Sequence, residues 1–335
     1  MSCNVWTRTI MNKYFRYFRF KLASIVDSTV FNVLRNFTWI LPGYRIKGCV
    51  TYNHGDLVAM KFNYIAPRVF QEYYDNIVNE IEDSLKNNRP LSVIRSGDGE
   101  AYFLQEKYIG NIVKRHLTTK NNNIDTDFWI RQYLKNDIIT YDANLNLRRL
   151  WTPIVGKDVI KNYYPLHVVY ALVANRDIFS IVKDKKIGLI GSKEKLNIIS
   201  ELMNHKQYRD YTKLSQIQSY IGIPTIGACD YPNKLLNDII KKAAKNPCDI
   251  YFVAAGISKI YFMSELRDKL NCIVIDIGSG MDALAGIIPK DRQCFGKWVN
   301  YKIQRNGSDS GVDVLSTHSK RLYKYKTSKD VILLK

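Results

Sequence analysis

The sequence is short of acid, short of histidine and free of long apolar runs, and each shortage excludes something. Thirty-one Asp and Glu face fifty Lys and Arg, a net charge of +19 over 335 residues. Such an excess points to an anionic partner: nucleic acid, a membrane surface or a phosphorylated small molecule. No stretch reaches the roughly 18 uncharged apolar residues that a bilayer span requires. The best N-terminal candidate is interrupted by Asp27 and Arg35 and lacks a small-residue cleavage site, so no signal peptide is read there. Cys3, Cys49, Cys229, Cys248, Cys272 and Cys294 are scattered, without a C-x-x-C pair. That spacing suggests neither a zinc site nor a disulfide framework; reduced thiols in a cytoplasmic protein are expected. His54, His116, His167, His205 and His318 share no metal-ligand spacing. Helix-turn-helix, RRM, KH and zinc-finger signatures are missing too, so no nucleic-acid partner is expected despite the charge. There is no internal repeat, and nothing speaks to oligomeric state.

What is present is an ordinary globular balance, 46% hydrophobic and 24% charged. Residues 1–60 form a basic, aromatic-rich arm, with Arg16, Arg19, Lys21 and Arg35 among Tyr14, Phe15, Tyr17, Phe18 and Phe20. That pattern suits an amphipathic helix lying peripherally on an anionic membrane. A catalytic α/β domain is expected over 61–314, followed by a basic tail over 315–335. Phe70, Tyr73, Tyr74, Ile77, Ile81 and Leu85 recur at helical spacing. Strands are read at Leu91–Ile94, Ile138–Tyr141, Ile187–Ile190, Ile250–Ala254 and Cys272–Ile277. Helices are read near Phe128–Leu134, along Leu196–Met203, along Leu235–Ala243 and over Lys259–Leu270. Strands alternating with helices imply a largely parallel, Rossmann-like sheet flanked by helices.

The sharpest local feature is S-V-I-R-S-G-D-G-E, Ser92–Glu100. A buried strand delivers the chain to a turn at its carboxyl end, where open α/β sheets bind ligands. Gly97 and Gly99 permit a tight turn and close approach of a ligand. Asp98 and Glu100 lie two positions apart, so in extended backbone both carboxylates lean one way. Two carboxylates with no soft ligand nearby suit Mn²⁺ or Mg²⁺ shared with a diphosphate, and Arg95 adds a fixed charge for phosphate. Two further turns follow strands: Gly191-Ser192-Lys193, and A-A-G-I-S-K, Ala254–Lys259, where Gly256 and Ser258 open a helix. I-D-I-G-S-G-M-D brings Asp276, Gly278, Ser279 and Asp282 to the end of the next strand. His116 is the one histidine near enough to the D-x-E turn to test. Asp125 is read as a helix N-cap, and Trp129, Trp151 and Trp298 as packing residues.

The R-S-G-D-G-E segment, Arg95–Glu100, resembles the R-x-G-D-G-E signature of GT-D-type glycosyltransferases. The late stretch from Gly256 to Gly286, with its D-I-G pattern and a following acid, resembles that family's closing β-α-β unit. The resemblance spans roughly residues 65–290 and implies a Rossmann-like domain that binds a UDP-sugar. It implies Asp98 and Glu100 as metal and diphosphate residues, with Gly256, Asp276 and Gly278 near the nucleotide or sugar. Many relatives carry G-P where this chain has Gly256-Ile257, and some carry His where it has Ser279. The function implied is metal-dependent sugar transfer from a nucleotide sugar to a glycan or lipid-linked acceptor. Arg95, Ser96, Gly97, Gly99, Gly191, Ser192, Lys193, Gly256, Ser258, Asp276, Gly278 and Ser279 are the expected donor-binding set, and Asp282 the expected base. The alternatives are a nucleic-acid-binding protein, prompted by the charge of +19 and twenty-three Tyr, and, as the stronger rival, an S-adenosylmethionine-dependent methyltransferase, from Val274–Gly280. That motif normally opens a Rossmann sheet, and here only about 50 residues follow it.

Overall fold

A computed structural model describes residues 67–105, 116–118, 125–141, 145–156 and 164–287, together with 295, 298, 304–305 and 308–309. The basic arm and the basic tail lie outside the described residues, as do Cys3, Cys49, Cys294, His54 and His318. The elements in chain order are α1 (Pro67–Lys86), β1 (Leu91–Ser96), α2 (Asp98–Leu104), α3 (Thr126–Leu134), β2 (Ile138–Tyr141), α4 (Leu145–Val155), β3 (Tyr164–Pro165), α5 (His167–Ala174) and α6 (Asp177–Ile181). They continue as β4 (Ile187–Ser192), α7 (Lys193–Leu202), α8 (Lys206–Thr212), β5 (Ser219–Ile223), α9 (Pro232–Ala243) and β6 (Ile250–Val253). A 3₁₀ turn (Gly256–Ser258), α10 (Lys259–Leu270), β7 (Ile273–Asp276) and α11 (Ser279–Leu284) close the domain. A separate antiparallel pair joins β8 (Gln304–Arg305) to β9 (Ser308–Asp309).

Seven strands form one sheet in the order β3-β2-β1-β7-β6-β4-β5, and every pairing is parallel. β1, β4, β6 and β7 are buried along their whole length, which is why they read as unbroken apolar runs instead of alternating ones. Val93 at the centre sits opposite Ile138 on one side and Ile275 on the other. Two apolar layers cover the faces. One gathers α1, α5, α6, α7 and α11 onto Val93, Leu189, Phe252 and Ile275. The other gathers α2, α3, α4, α9 and α10 onto Ile94, Ile190, Val253 and Val274. Neighbouring strands β1 and β7 therefore send their helices to opposite faces. Their carboxyl ends flank a topological switch point, where a ligand crevice opens in sheets of this kind.

The expected α/β, Rossmann-like parallel sheet is the fold observed. Asp125 caps α3, accepting from Phe128 N at 2.8 Å, and Trp129, Trp151 and Trp298 are all buried. Cys229, Cys248 and Cys272 are buried free thiols, and burial pushes each of them up. Two local readings need correction. Gly191 and Ser192 are not a turn; they complete β4, in register with Gly222 and Ile223 of the edge strand. Asp98 does not stand in extended backbone either. Only Gly97 lies between β1 and α2, and the helix starts at Asp98, where acids in a first turn face the positive end of the dipole. α5 leaves no helical signal in the sequence because H-V-V-Y-A-L-V-A is buried on every side and so shows no amphipathic period. No helix among the described residues is long and apolar enough to cross a membrane.

Candidate functional site

Four charged side chains, Arg95, Glu100, Lys259 and Asp276, meet at the carboxyl ends of β1 and β7. Arg95 is the penultimate residue of β1, and Asp276 ends β7. Arg95 Nε donates to Asp276 O at 3.0 Å and Nη2 to Asp276 Oδ1 at 3.4 Å, while Arg95 N donates to Oδ2 at 3.2 Å. Gly278 N donates to Asp276 Oδ1 at 3.0 Å. From α10, Lys259 Nζ reaches Asp276 Oδ2 at 2.6 Å and Glu100 Oε1 at 2.7 Å. The Arg95 guanidinium lies over the Tyr170 ring of α5, 4.4 Å from its centroid, a cation–π contact. Lys259 and Asp276 keep only 3% and 1% of their side-chain surface exposed. Two cations thus meet two carboxylates in a nearly dry site, with no charge left over.

The pairing keeps Arg95, Lys259 and Asp276 charged. Burial alone would push the Asp276 carboxyl up, but the Arg95 and Lys259 charges outweigh it and hold it below its ordinary value. Burial would equally depress Lys259, and Asp276 and Glu100 reverse that, keeping the ammonium above the usual lysine range. Arg95 is raised in the same way, against its own burial, chiefly by Asp276. Each ion is tolerated in a low-dielectric position because its partner is already in place.

Glycines bring the backbone close to these groups. Gly278 has φ +44, and a Cβ there would stand 1.6 Å from Arg95 Nη2. Gly256 has φ +56, and its Cβ would stand 2.2 Å from His116 Nε2. A Cβ at Gly97 would meet Glu100 Oε2 at 2.5 Å. The space that these glycines leave is filled by the protein's own polar side chains.

Arg95, Gly97, Glu100, Gly256, Asp276 and Gly278 are brought together, with His116 beside them. Asp98 is exposed, and its Oδ1 accepts from Gly99 N at 2.9 Å. On a helix, positions 98 and 100 are about 200° apart, so the two carboxylates do not lean one way as extended backbone would have them. Ser96 hydrogen-bonds Tyr133 in the apolar layer beneath α3, away from Arg95. Gly191 packs against Ala254 O and Met281, Ser192 is buried, and Lys193 is exposed at the start of α7. Ser258 is buried and donates to Ala255 O at 2.8 Å. Ser279 accepts from Tyr170 Oη at 3.5 Å. Asp282, half-buried in the first turn of α11, is ion-paired with Lys195 of α7.

Two members of the cluster carried no role in the sequence reading. Tyr170 is one more apolar-layer residue until the fold puts Arg95 over it. Lys259 does leave a signal: it stands in a stretch, Ile257–Ser264, that is otherwise apolar or small apart from a tyrosine, and a lysine there has no solvated face to occupy.

Asp98 and Glu100 offer oxygen donors of the kind Mn²⁺ and Mg²⁺ take. Among the described residues, no group of three His, Cys, Asp or Glu side chains could hold a metal. As placed, the two carboxylates diverge on α2 and Glu100 is held by Lys259, so they make no closed protein cage; one of them at a time is what an ion shared with a phosphate ligand would need.

No family model matches the chain, and no curated protein does. Two solved structures are similar to it over 74% of this chain and 89% of theirs. One is a selenomethionine-substituted domain of unknown function 1792, at 14% identity and a TM-score of 0.41. The other is described as showing that the highly conserved domain of unknown function 1792 has a distinct glycosyltransferase fold, at 15% identity and a TM-score of 0.40.

Proposed function

We propose that the chain transfers a sugar from a nucleotide donor, a UDP-sugar, to a glycan or lipid-linked acceptor in the crevice between β1 and β7. The observation that carries this reading is the buried Arg95–Asp276–Lys259–Glu100 cluster at the topological switch point. A structural ion pair needs no such address, whereas an anionic ligand meets preorganised charge there with little reorganisation. Glu100 would hold Mn²⁺ or Mg²⁺ against the diphosphate, Asp98 would join it on a rearrangement of the first turn of α2, and the ion's charge would neutralise the leaving diphosphate. Arg95 is locked by Asp276 and Tyr170, so it is a fixed donor whose charge is already balanced and not a mobile clamp. Gly256, exposed at the start of the 3₁₀ turn before α10, would bring a ligand beside His116, whose ring fills the space a Cβ would take. Asp282 would take the proton of the acceptor hydroxyl from its half-exposed place in α11. The net charge of +19 and the basic arm support an anionic or membrane-bound acceptor.

Thermal unfolding tests the reading directly. UDP with Mn²⁺ should raise the melting temperature by mass action, and EDTA should abolish the gain. S-adenosylmethionine should leave it unchanged; a gain with that ligand alone would promote the methyltransferase. Slow hydrolysis of a UDP-sugar should disappear in Asp98→Asn and Glu100→Gln. Transfer to acceptor should fall about 10²-fold or more in Asp282→Asn, the usual scale for a lost general base.

A further inference from the structure

We infer that Lys259 is a positioning residue that keeps Glu100 closed to free divalent cations, so that metal enters only together with a nucleoside diphosphate. The inference rests on the donor reading above and adds an order of events to it.

Lys259 Nζ lies 2.7 Å from Glu100 Oε1 and 2.6 Å from Asp276 Oδ2, both within charge-assisted hydrogen-bond range. Lysine is therefore already the counter-cation of the carboxylate that a metal would use. Its backbone cannot easily withdraw. Lys259 is the first residue of α10, the preceding 3₁₀ turn is tied by the Ser258 Oγ bond to Ala255 O, and α10 packs against α3, β1 and β7. As it stands the cluster balances two positive charges with two negative ones. A bare dication that took Glu100 would sit beside the Lys259 ammonium and the Arg95 guanidinium, leaving a buried excess of two positive charges. Such an excess is costly where the dielectric is low. A dication that arrives on a diphosphate brings its own negative charge. Lys259, released from Glu100, keeps Asp276 and gains a phosphate oxygen as its second acceptor. Lysine thus turns two binding events into one coupled event, and thermodynamic reciprocity requires that the diphosphate also bind better with the metal.

The test is Mn²⁺ binding to the full chain, followed by the loss of the free-ion electron paramagnetic resonance signal, with and without UDP and corrected for Mn²⁺–UDP pairing in solution. Wild-type protein should take up Mn²⁺ at least about tenfold more tightly when UDP is present, within the usual span of coupling between two ligands. Lys259→Met, which keeps the length and removes the charge, should bind Mn²⁺ without UDP and lose most of that enhancement. Lys259→Arg, which keeps the charge, should remain closed to Mn²⁺ alone. Equal Mn²⁺ affinity with and without UDP in the wild type overturns the inference, and that result stands even if neither variant folds. Enhancement that survives unchanged in a folded Lys259→Met also overturns it while leaving the donor reading intact. If UDP binds under no condition, the donor reading itself falls and takes the inference with it.

Discussion

The two ends of β1 carry the same ingredients and use them differently. At the amino end, Arg267 Nη1 donates to Asp137 Oδ2 at 2.8 Å, to Ser92 Oγ at 3.0 Å and to Lys135 O at 2.8 Å. Asp137 Oδ2 also accepts from Ser92 N at 2.7 Å. Arginine and aspartate are thus spent on backbone and hydroxyl groups, tying the last turn of α10 to the starts of β1 and β2. The Asp137 side chain is 39% exposed, so water shares the load. At the carboxyl end, Lys259 bonds to carboxylates and Arg95 bonds to a carboxylate and one carbonyl, in a largely buried site. There the acceptors are mainly carboxylates that an incoming anion can replace in kind; at the amino end the Asp137 and Asp268 carboxylates share Arg267 with a hydroxyl and a carbonyl, which ties elements of the fold together. An Arg–Asp pair alone marks neither end as a site. What separates the two is burial, a second cation and glycines pressed against the charges.

The sharpest way to break the comparison is to remove one charge from the buried cluster. Asp276→Asn leaves Arg95 and Lys259 facing each other with only Glu100 between them, and should cost about 3–5 kcal/mol, the usual penalty for orphaning a buried ion. The pH dependence carries a sign. Asp276 is held below its ordinary value of 3.8, so its contribution is present above that pH and is lost as pH falls through the lower folded value. Urea midpoints of wild type and Asp276→Asn should therefore differ most at neutral pH and converge in acid below 3.8. A constant gap across that range would mean that lost packing, not lost charge, explains the variant.

A smaller effect should follow from filling the glycine space. Gly278→Ala combines positive φ with a Cβ 1.6 Å from Arg95 Nη2, and Arg95 cannot retreat because Asp276 and Tyr170 hold it. Gly156 supplies the contrast: φ is +82 and nothing lies within 4 Å of a Cβ. Gly156→Ala should cost only the left-handed backbone strain, roughly 1–2 kcal/mol. Gly278→Ala should exceed it in a denaturant titration, and should also weaken the stabilisation by UDP and Mn²⁺. Equal costs would show that the Arg95 position is soft.

The same contrast explains what could be read from sequence. Strands buried on both faces announce themselves as apolar runs, and the helix expected over Lys259–Leu270 is α10, with the 3₁₀ turn Gly256–Ser258 before it and Asn271, in left-handed backbone, after it. The parallel sheet then follows from alternating elements. Arg95, Glu100 and Asp276 could be singled out because each sits just after or at the end of such a strand. Their pairing could not, since it joins residues up to 181 apart in sequence. Lys259 stood inside a stretch already singled out, yet its role depends on two carboxylates from other elements. The turn expected over Gly97–Gly99 fails for a local reason. Gly-Asp-Gly reads as a turn, but a single glycine makes the turn and the acids are recruited into the first turn of α2.

The mildest change should fall at the amino end of β1. Asp137→Asn keeps an oxygen that can accept from Ser92 N, and Arg267 retains Asp268 at 2.7 Å and Lys135 O at 2.8 Å. Only the charge of a partly hydrated pair is lost, which is worth about 1 kcal/mol or less. Chemical denaturation should register that small loss, and the thermal shift caused by UDP with Mn²⁺ should be untouched, because no atom of this network reaches the crevice. If Asp137→Asn instead removed the ligand-induced shift, the two ends of β1 would be coupled through the strand, and the division between a scaffold end and a working end would no longer hold.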